Sequence, residues 1–175
     1  RQRQMCIRDS VVGMAYTTWH RTALWSTDEF WARPLLGEYR SDDTETIQEH
    51  GKLLGEADVD FVFVDWSNNV RFQEEEYPRA TYKNIMNEKN IAITGREDFA
   101  MIERATVKMF DLWAEMEEKT PQIAIMLGCP DKITALEDGS LQKKADQVYE
   151  WFLKSADSPE RAAKYMQFEG KPLLM

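Results

Sequence analysis

The sequence predicts an α/β fold built on a parallel sheet. Residues 59–64 (Val-Asp-Phe-Val-Phe-Val) form an almost continuous apolar run, which is typical of a strand covered on both faces. Similar apolar runs alternate with amphipathic helical patterns along the chain, in the order β-α-β-α-β-α-β, and this alternation is the pattern of a parallel α/β sheet. With 175 residues, 43% of them hydrophobic, the chain is long enough for one domain with a substantial core.

Four strands are predicted from the apolar runs and the turns that bound them. The first three are expected to lie inside the sheet, and the fourth follows the turn at Gly170-Lys171. The predicted strands are 11–16, 59–65, 122–127 and 172–175.

Three long helices are predicted from residues that recur at helical spacing. The first helix, 43–57, begins with Asp42 as its N-cap and Glu45 three residues later, which together match a capping box. His50 falls on its apolar face and is interpreted as a core residue. The other two helices are 97–118 and 140–154, both amphipathic.

Composition excludes several classes of function. The net charge of −9 argues against nucleic acid as a partner, because phosphate binding needs basic patches. No apolar run reaches the roughly 18 residues of a membrane span. The two cysteines, Cys6 and Cys129, do not suggest a disulfide framework. No cofactor is expected, and the sequence leaves the oligomeric state open.

Polar and aromatic residues follow the first two strands. Trp19 and His20 come after the first strand, and Asp65, Trp66 and Asn68 come at the end of the second. In parallel α/β folds the carboxyl ends of the strands face the ligand site, so these residues are candidates for binding a sugar. An indole provides an apolar platform, and the others provide hydrogen-bond donors and acceptors.

Structural explanations compete with each of these roles. Trp19 and His20 are also compatible with packed core residues, and Asp65 with a carboxylate that caps the following loop. Successive side chains alternate along a strand, so Asp65 and Trp66 do not both point inward. His20 and Asp65 lack a third ligand, and therefore no metal site is expected.

Four landmarks follow one another along the chain: Tyr16-Thr17-Thr18-Trp19-His20, the segment 34–43 (Pro-Leu-Leu-Gly-Glu-Tyr-Arg-Ser-Asp-Asp), Ala57-Asp58-Val59-Asp60-Phe61 with Asp65-Trp66, and Phe168-Glu169-Gly170-Lys171-Pro172. In this order they resemble the N-terminal half of glycoside hydrolase family 99-like or family 71-like proteins. This clan of (β/α)8 barrels includes endo-α-mannosidases and WbsX-like polysaccharide proteins. The resemblance covers residues 11–175.

The resemblance implies a partial (β/α)8 barrel, about the first four strands with their crossover helices, since a whole barrel takes about 200 residues or more. It implies cleavage of glycosidic bonds in an oligosaccharide or polysaccharide, and a secreted or periplasmic location. It adds Tyr16 to the substrate-binding candidates. The family's catalytic carboxylates lie on late strands, which the resemblance places beyond Met175, so none is assigned in this chain.

Two alternatives remain open: a sugar-binding barrel without catalysis, and a truncated reading frame without activity. Residues 1–10 (RQRQMCIRDS) resemble translated adaptor sequence from assembled environmental reads, and we expect that they are not native. Half a barrel would also leave its inner face uncovered. We therefore expect Met14, Val62, Val64, Ile125 or their strand neighbours to be exposed.

Overall fold

A computed structural model describes residues 10–20, 34–67, 97–127, 132–154 and 158–175. Strands and helices alternate along the first two thirds of the chain, and short elements follow. In chain order the elements are β1 (Gly13–Tyr16), α1 (Thr44–Glu56), β2 (Phe61–Asp65), α2 (Glu97–Glu115), β3 (Gln122–Met126), α3 (Lys132–Glu137), α4 (Ser140–Tyr149), α5 (Pro159–Ala163), β4 (Gln167–Phe168) and β5 (Lys171–Pro172). A π-helical turn, Glu150–Lys154, extends α4.

The three longer strands form one parallel sheet in the order β1-β2-β3. Val62 in the central strand stands opposite Met14 on one side and Ile123 on the other. Consecutive parallel neighbours joined by helices are the arrangement of a (β/α)8 barrel wall. The predicted fold class, α/β with part of a barrel, is confirmed.

The predicted fourth strand differs from the structure in its first half. Lys171–Pro172 pairs antiparallel with Gln167–Phe168 in a tight hairpin. Glu169 and Gly170 form its turn with φ of 51° and 75°, as a type I′ turn requires. The chain then passes beside β3, where Leu174 forms a parallel bridge with Ile125. Tyr165 also forms a parallel bridge with Ile123, so the chain lies next to β3 before and after the hairpin, and the hairpin separates these two contacts.

The core lies between one face of the sheet and the helices. Val62, Val64 and Ile125 point to this side and are fully buried, together with Phe110 and Trp113 of α2. The prediction that Val62, Val64 and Ile125 are exposed is therefore wrong. Their strand neighbours Phe61 and Phe63 occupy the other face and are half-buried. Met14, at the edge of the sheet, is exposed as expected.

The three predicted helices form close to the predicted positions, but the capping of α1 differs. Asp43, not Asp42, is the N-cap residue, and its carboxylate accepts a hydrogen bond from Thr46 Oγ1 at 3.0 Å. Asp42 is buried and contacts α2 instead. Of the helices that the structure describes, none has the length and hydropathy needed to cross a membrane.

Candidate functional site

The parallel pairing of β1 and β2 brings the segments after both strands to the same edge of the sheet. These segments are Thr17–His20 and Trp66–Ser67, with Asp65 as the last residue of β2. The loop that leads into α1 also reaches this edge, because Ser41 contacts His20. Of the predicted candidates, Trp19, His20 and Asp65 therefore lie at the carboxyl edge, where parallel α/β folds bind ligands.

Two backbone-directed hydrogen bonds fix His20. Its N–H donates to Ser41 Oγ at 2.9 Å, and the N–H of Ser41 donates to the carbonyl of His20 at 2.8 Å. The imidazole meets the ring of Tyr39 edge-on, with 5.6 Å between centroids. Burial lowers the pKa of His20 from its ordinary value, which favours the neutral imidazole.

His50 lies behind His20 and joins Tyr39 to Tyr16. Tyr39 packs edge-on against the His50 ring at 5.5 Å, and the hydroxyl of Tyr16 is hydrogen-bonded to His50 Nδ1 at 2.7 Å. Burial lowers the pKa of His50, nearby His20 lowers it further, and Glu49 acts in the opposite direction. His20, Tyr39, His50 and Tyr16 together form what we call the histidine–tyrosine cluster.

Tyr16 belongs to the helix-facing side of the sheet. It stands opposite the buried Val64 in the register, and its ring contacts Trp113 of α2 at 6.3 Å. Burial raises the pKa of its phenol far above the ordinary value. Tyr16 thus contacts His50 on the helix-facing side of the sheet, and its contact with substrate stays a prediction.

Trp19 and Asp65 differ in their availability to a ligand: the Trp19 side chain is exposed, whereas the Asp65 carboxylate already accepts a hydrogen bond. Trp19 is 43% exposed at the carboxyl edge, although the preceding Thr18 is fully buried. Its indole is therefore accessible to a flat apolar ligand face. Asp65 is half-buried, and its Oδ1 accepts the N–H of Ser67 at 2.8 Å. The alternative that Asp65 caps the turn after β2 is confirmed.

Trp66 is a core residue. Its indole is fully buried, contacts Trp151 and Phe152, and donates from Nε1 to Thr106 Oγ1 at 2.9 Å. The prediction that Trp66 binds substrate is wrong, because alternation along the chain turns it toward the helices when Asp65 faces the other way. Asn68, the remaining candidate, lies outside the described residues.

Sequence reasoning missed the ionic contacts of Asp42, which join the loop before α1 to α2. The buried carboxylate of Asp42 accepts hydrogen bonds from Arg40 at 3.0 Å and from Arg104 Nε at 2.8 Å. Lys108 Nζ donates to the carbonyl oxygen of Asp42 at 2.7 Å. Desolvation opposes ionisation of Asp42, but the two arginines prevail and lower its pKa. The pair Arg40–Asp42 is visible in the sequence, whereas the α2 partners are not.

Comparison with known proteins shows where this architecture recurs. No protein-family model matches the sequence, and no curated protein matches it. Two solved structures of the glycoside hydrolase family 99 endo-α-mannosidase from Bacteroides thetaiotaomicron do match. One, a complex with Bis-Tris propane, has a TM-score of 0.54 and 15% identity over 94% of this chain and 41% of that chain. The other has a TM-score of 0.50 and 14% identity, covering 93% and 43%.

The chain shares the fold of part of these hydrolases. The resemblance to family 99 is thereby confirmed at the level of the fold. The chain spans less than half the length of the two solved structures that it matches. Among the residues described here, there is no group of three or more His, Cys, Asp or Glu that would hold a metal ion.

Proposed function

We propose that this chain is part of a carbohydrate-active glycoside hydrolase that cleaves glycosidic bonds in an oligosaccharide or polysaccharide. The observation that carries the proposal is the exposed indole of Trp19 at the carboxyl edge of a parallel sheet, next to His20. Its fold occurs in two family 99 endo-α-mannosidase structures, so α-linked manno-oligosaccharides are the first ligands to test.

Hydrolysis of a glycosidic bond normally needs two carboxyl groups on either side of that bond. Asp65 caps a turn, and Asp42 is buried against two arginines. We therefore assign neither residue to acid–base chemistry. In this proposal Trp19 and His20 bind the sugar, and residues outside the described part of the chain supply the acid and the nucleophile or base.

A sugar-binding barrel without catalysis is the second candidate. The engagement of Asp42 and Asp65 in structural contacts favours it, because binding needs no carboxylate pair. In the proposal this chain is part of a larger hydrolase, so incubation of that larger protein with reducing-end-labelled oligosaccharides separates the two. New labelled products support hydrolysis, and saturable binding without products supports the binding barrel.

Both candidate functions require sugar binding, so replacement of Trp19 tests both. We expect Trp19→Ala to weaken oligosaccharide binding about twofold to twelvefold, because an aromatic contact contributes about 0.5–1.5 kcal/mol beyond its buried area. Isothermal titration calorimetry gives the dissociation constants. Far-UV circular dichroism of the variant should match that of the parent protein, since the indole is substantially exposed.

Tyr149→Ala is the matched control for this experiment. Tyr149 is an aromatic residue of similar exposure, 54%, at the end of α4 in the helical layer. Its removal should leave the dissociation constant unchanged. Equal affinities for Trp19→Ala and the parent protein would remove Trp19 from the site, and with it the main support for the proposal.

A further inference from the structure

The loop of residues 39–42 is attached to α2 through Asp42. The carboxylate of Asp42 accepts from Arg104 Nε at 2.8 Å and also from Arg104 Nη2, and its carbonyl oxygen accepts from Lys108 Nζ at 2.7 Å. Arg40, in the same loop, donates to the other carboxylate oxygen at 3.0 Å. Both the side chain and the backbone of Asp42 are therefore held by cations of α2.

The residues immediately before Asp42 contact the candidate site. Ser41 exchanges two hydrogen bonds with the backbone of His20, at 2.9 and 2.8 Å. Tyr39 places its ring edge-on against both His20 and His50. The loop thus connects α2 on one side to His20 on the other, and His20 follows Trp19 directly.

We propose that Asp42 is a positioning residue: it anchors the 39–42 loop to α2, so that Ser41 holds the backbone of His20 at the carboxyl edge of the sheet. Asp42 touches no ligand in this role and acts through Ser41. The consequence for sugar binding rests on the proposed function, whereas the effect on His20 does not. A purely structural Asp42 would stabilise the fold without changing the environment of His20.

The chain offers a clean probe for this effect, because His20 and His50 are its only histidines. Each imidazole C–H gives one titrating NMR signal, and a His50→Gln variant assigns the two. Burial lowers the pKa of His20, so release of the loop and entry of water should raise it toward its ordinary value of 6.5.

Two substitutions break the proposed connection at different points. Asp42→Asn weakens the contacts with Arg40 and Arg104, and Ser41→Ala removes the Oγ that accepts the His20 N–H while leaving Asp42 in place. Asp111→Asn is the matched control: Asp111 is also a partly buried carboxylate paired with a buried arginine, Arg161, at 3.0 Å, but this pair joins α2 to α5.

We expect Asp42→Asn and Ser41→Ala to raise the titration midpoint of His20, Asp42→Asn more strongly, and Asp111→Asn to leave it unchanged. Oligosaccharide affinity should fall at least threefold in the first two variants. If Asp42→Asn does not fold by circular dichroism, Ser41→Ala decides alone. An unchanged His20 midpoint in folded Ser41→Ala overturns the proposal, as does an equal shift in Asp111→Asn. If His20 shifts but the parent protein binds no oligosaccharide, positioning stands and the proposed function fails.

Discussion

At the scale of the residue, the two histidines make the stability of this fold depend on pH. Both have a pKa below the ordinary value of 6.5, His20 through burial and His50 through burial and the neighbouring His20. As the pH falls below 6.5, the unfolded chain binds protons before the folded chain does. The free energy of unfolding therefore decreases in this range, and the contribution is complete only at higher pH.

His50→Gln tests this dependence. We expect the loss of unfolding free energy between about pH 7.5 and about pH 5 to be smaller in the variant than in the parent protein, because one of the two proton-binding groups is gone. Urea denaturation at each pH measures it. Asp42 has a lowered pKa, so its contribution is lost only near and below its ordinary value of 3.8, outside this window. Identical pH dependence in both proteins would contradict the assignment.

The residues at the carboxyl edge show how far sequence reasoning reached. The end of β2 was predictable, and alternation predicted that Asp65 and Trp66 point to opposite sides. Which of them faces the helices depends on partners distant in the sequence: Thr106, which accepts the indole N–H of Trp66, is 40 residues away. Asp42 is similar, since Arg104 lies 62 residues further along the chain. The local sequence pattern predicted Asp42 as a helix cap, but its carboxylate instead forms an ion pair with the distant Arg104.

At the scale of the element, two glycines allow α1 to pack closely against its neighbours. A Cβ on Gly51 would lie 2.4 Å from Nε1 of Trp113, and a Cβ on Gly55 would lie 1.8 Å from the carbonyl oxygen of Lys119. The space at Gly51 lets the Trp113 indole donate to the carbonyl of Ile47 at 2.8 Å. Glycine is normally unfavourable within a helix, so its two occurrences four residues apart indicate a packing requirement.

Gly55→Ala should therefore destabilise the protein, against the usual preference for alanine in helices. Overpacking against fixed backbone typically costs about 1–3 kcal/mol, which exceeds the gain of about 1 kcal/mol in helix propensity. Urea denaturation measures the change in unfolding free energy. Leu53→Ala, at an exposed position in the same helix, is the control and should change it by much less. An increase in stability for Gly55→Ala would mean that α1 shifts away from Lys119 without cost.

Elements were more predictable than their orientation. Apolar runs and amphipathic periods located β2, β3 and the long helices to within a few residues. The same run at 59–64 did not reveal which face of β2 meets the helices, because valine and phenylalanine are equally apolar. The structure turns Val62 and Val64 toward α2 and leaves Phe61 and Phe63 on the other face. There the Phe61 ring occupies the space that a Cβ on Gly13 would fill, so the glycine makes room for it.

At the scale of the whole molecule, apolar side chains are exposed at both edges of the three-stranded sheet. Val11 and Val12, just before β1, and Met14 within it are exposed, and within the described residues β1 pairs only with β2. Leu174 and Met175 are exposed beyond β3, on the opposite side. In a closed (β/α)8 barrel every strand has two neighbours, so further strands between these two edges would cover both.

The secreted or periplasmic location of the protein stays a prediction.

The parallel sheet was predictable from the order of strands and helices, and candidate sugar-binding residues from the side chains at the strand ends, whereas the partial barrel and the cleavage of glycosidic bonds followed from the resemblance. Physical reasoning from the residues reached a parallel sheet with aromatic and polar groups at one edge, and the structure confirms the sheet. A fold of this kind supports many activities, so the reaction depends on side chains placed there by several different strands. Only Trp19, His20 and Asp65 among the predicted site residues lie at that edge in the described part of the chain.

The exposed side of β1 leads to a prediction for the behaviour of the chain in solution. Unpaired strand edges with apolar side chains favour pairing between molecules, and natural proteins counter this with charged residues, especially lysine. We expect the 175-residue chain to self-associate at about 100 µM in sedimentation velocity experiments and Val12→Lys to reduce that association. Leu136→Lys introduces the same charge at a 64% exposed position on α3, away from the sheet, and should leave association unchanged. If both lysine variants reduce self-association equally, net charge and not the β1 edge governs self-association. The two edges of the sheet are then protected by some other part of the chain.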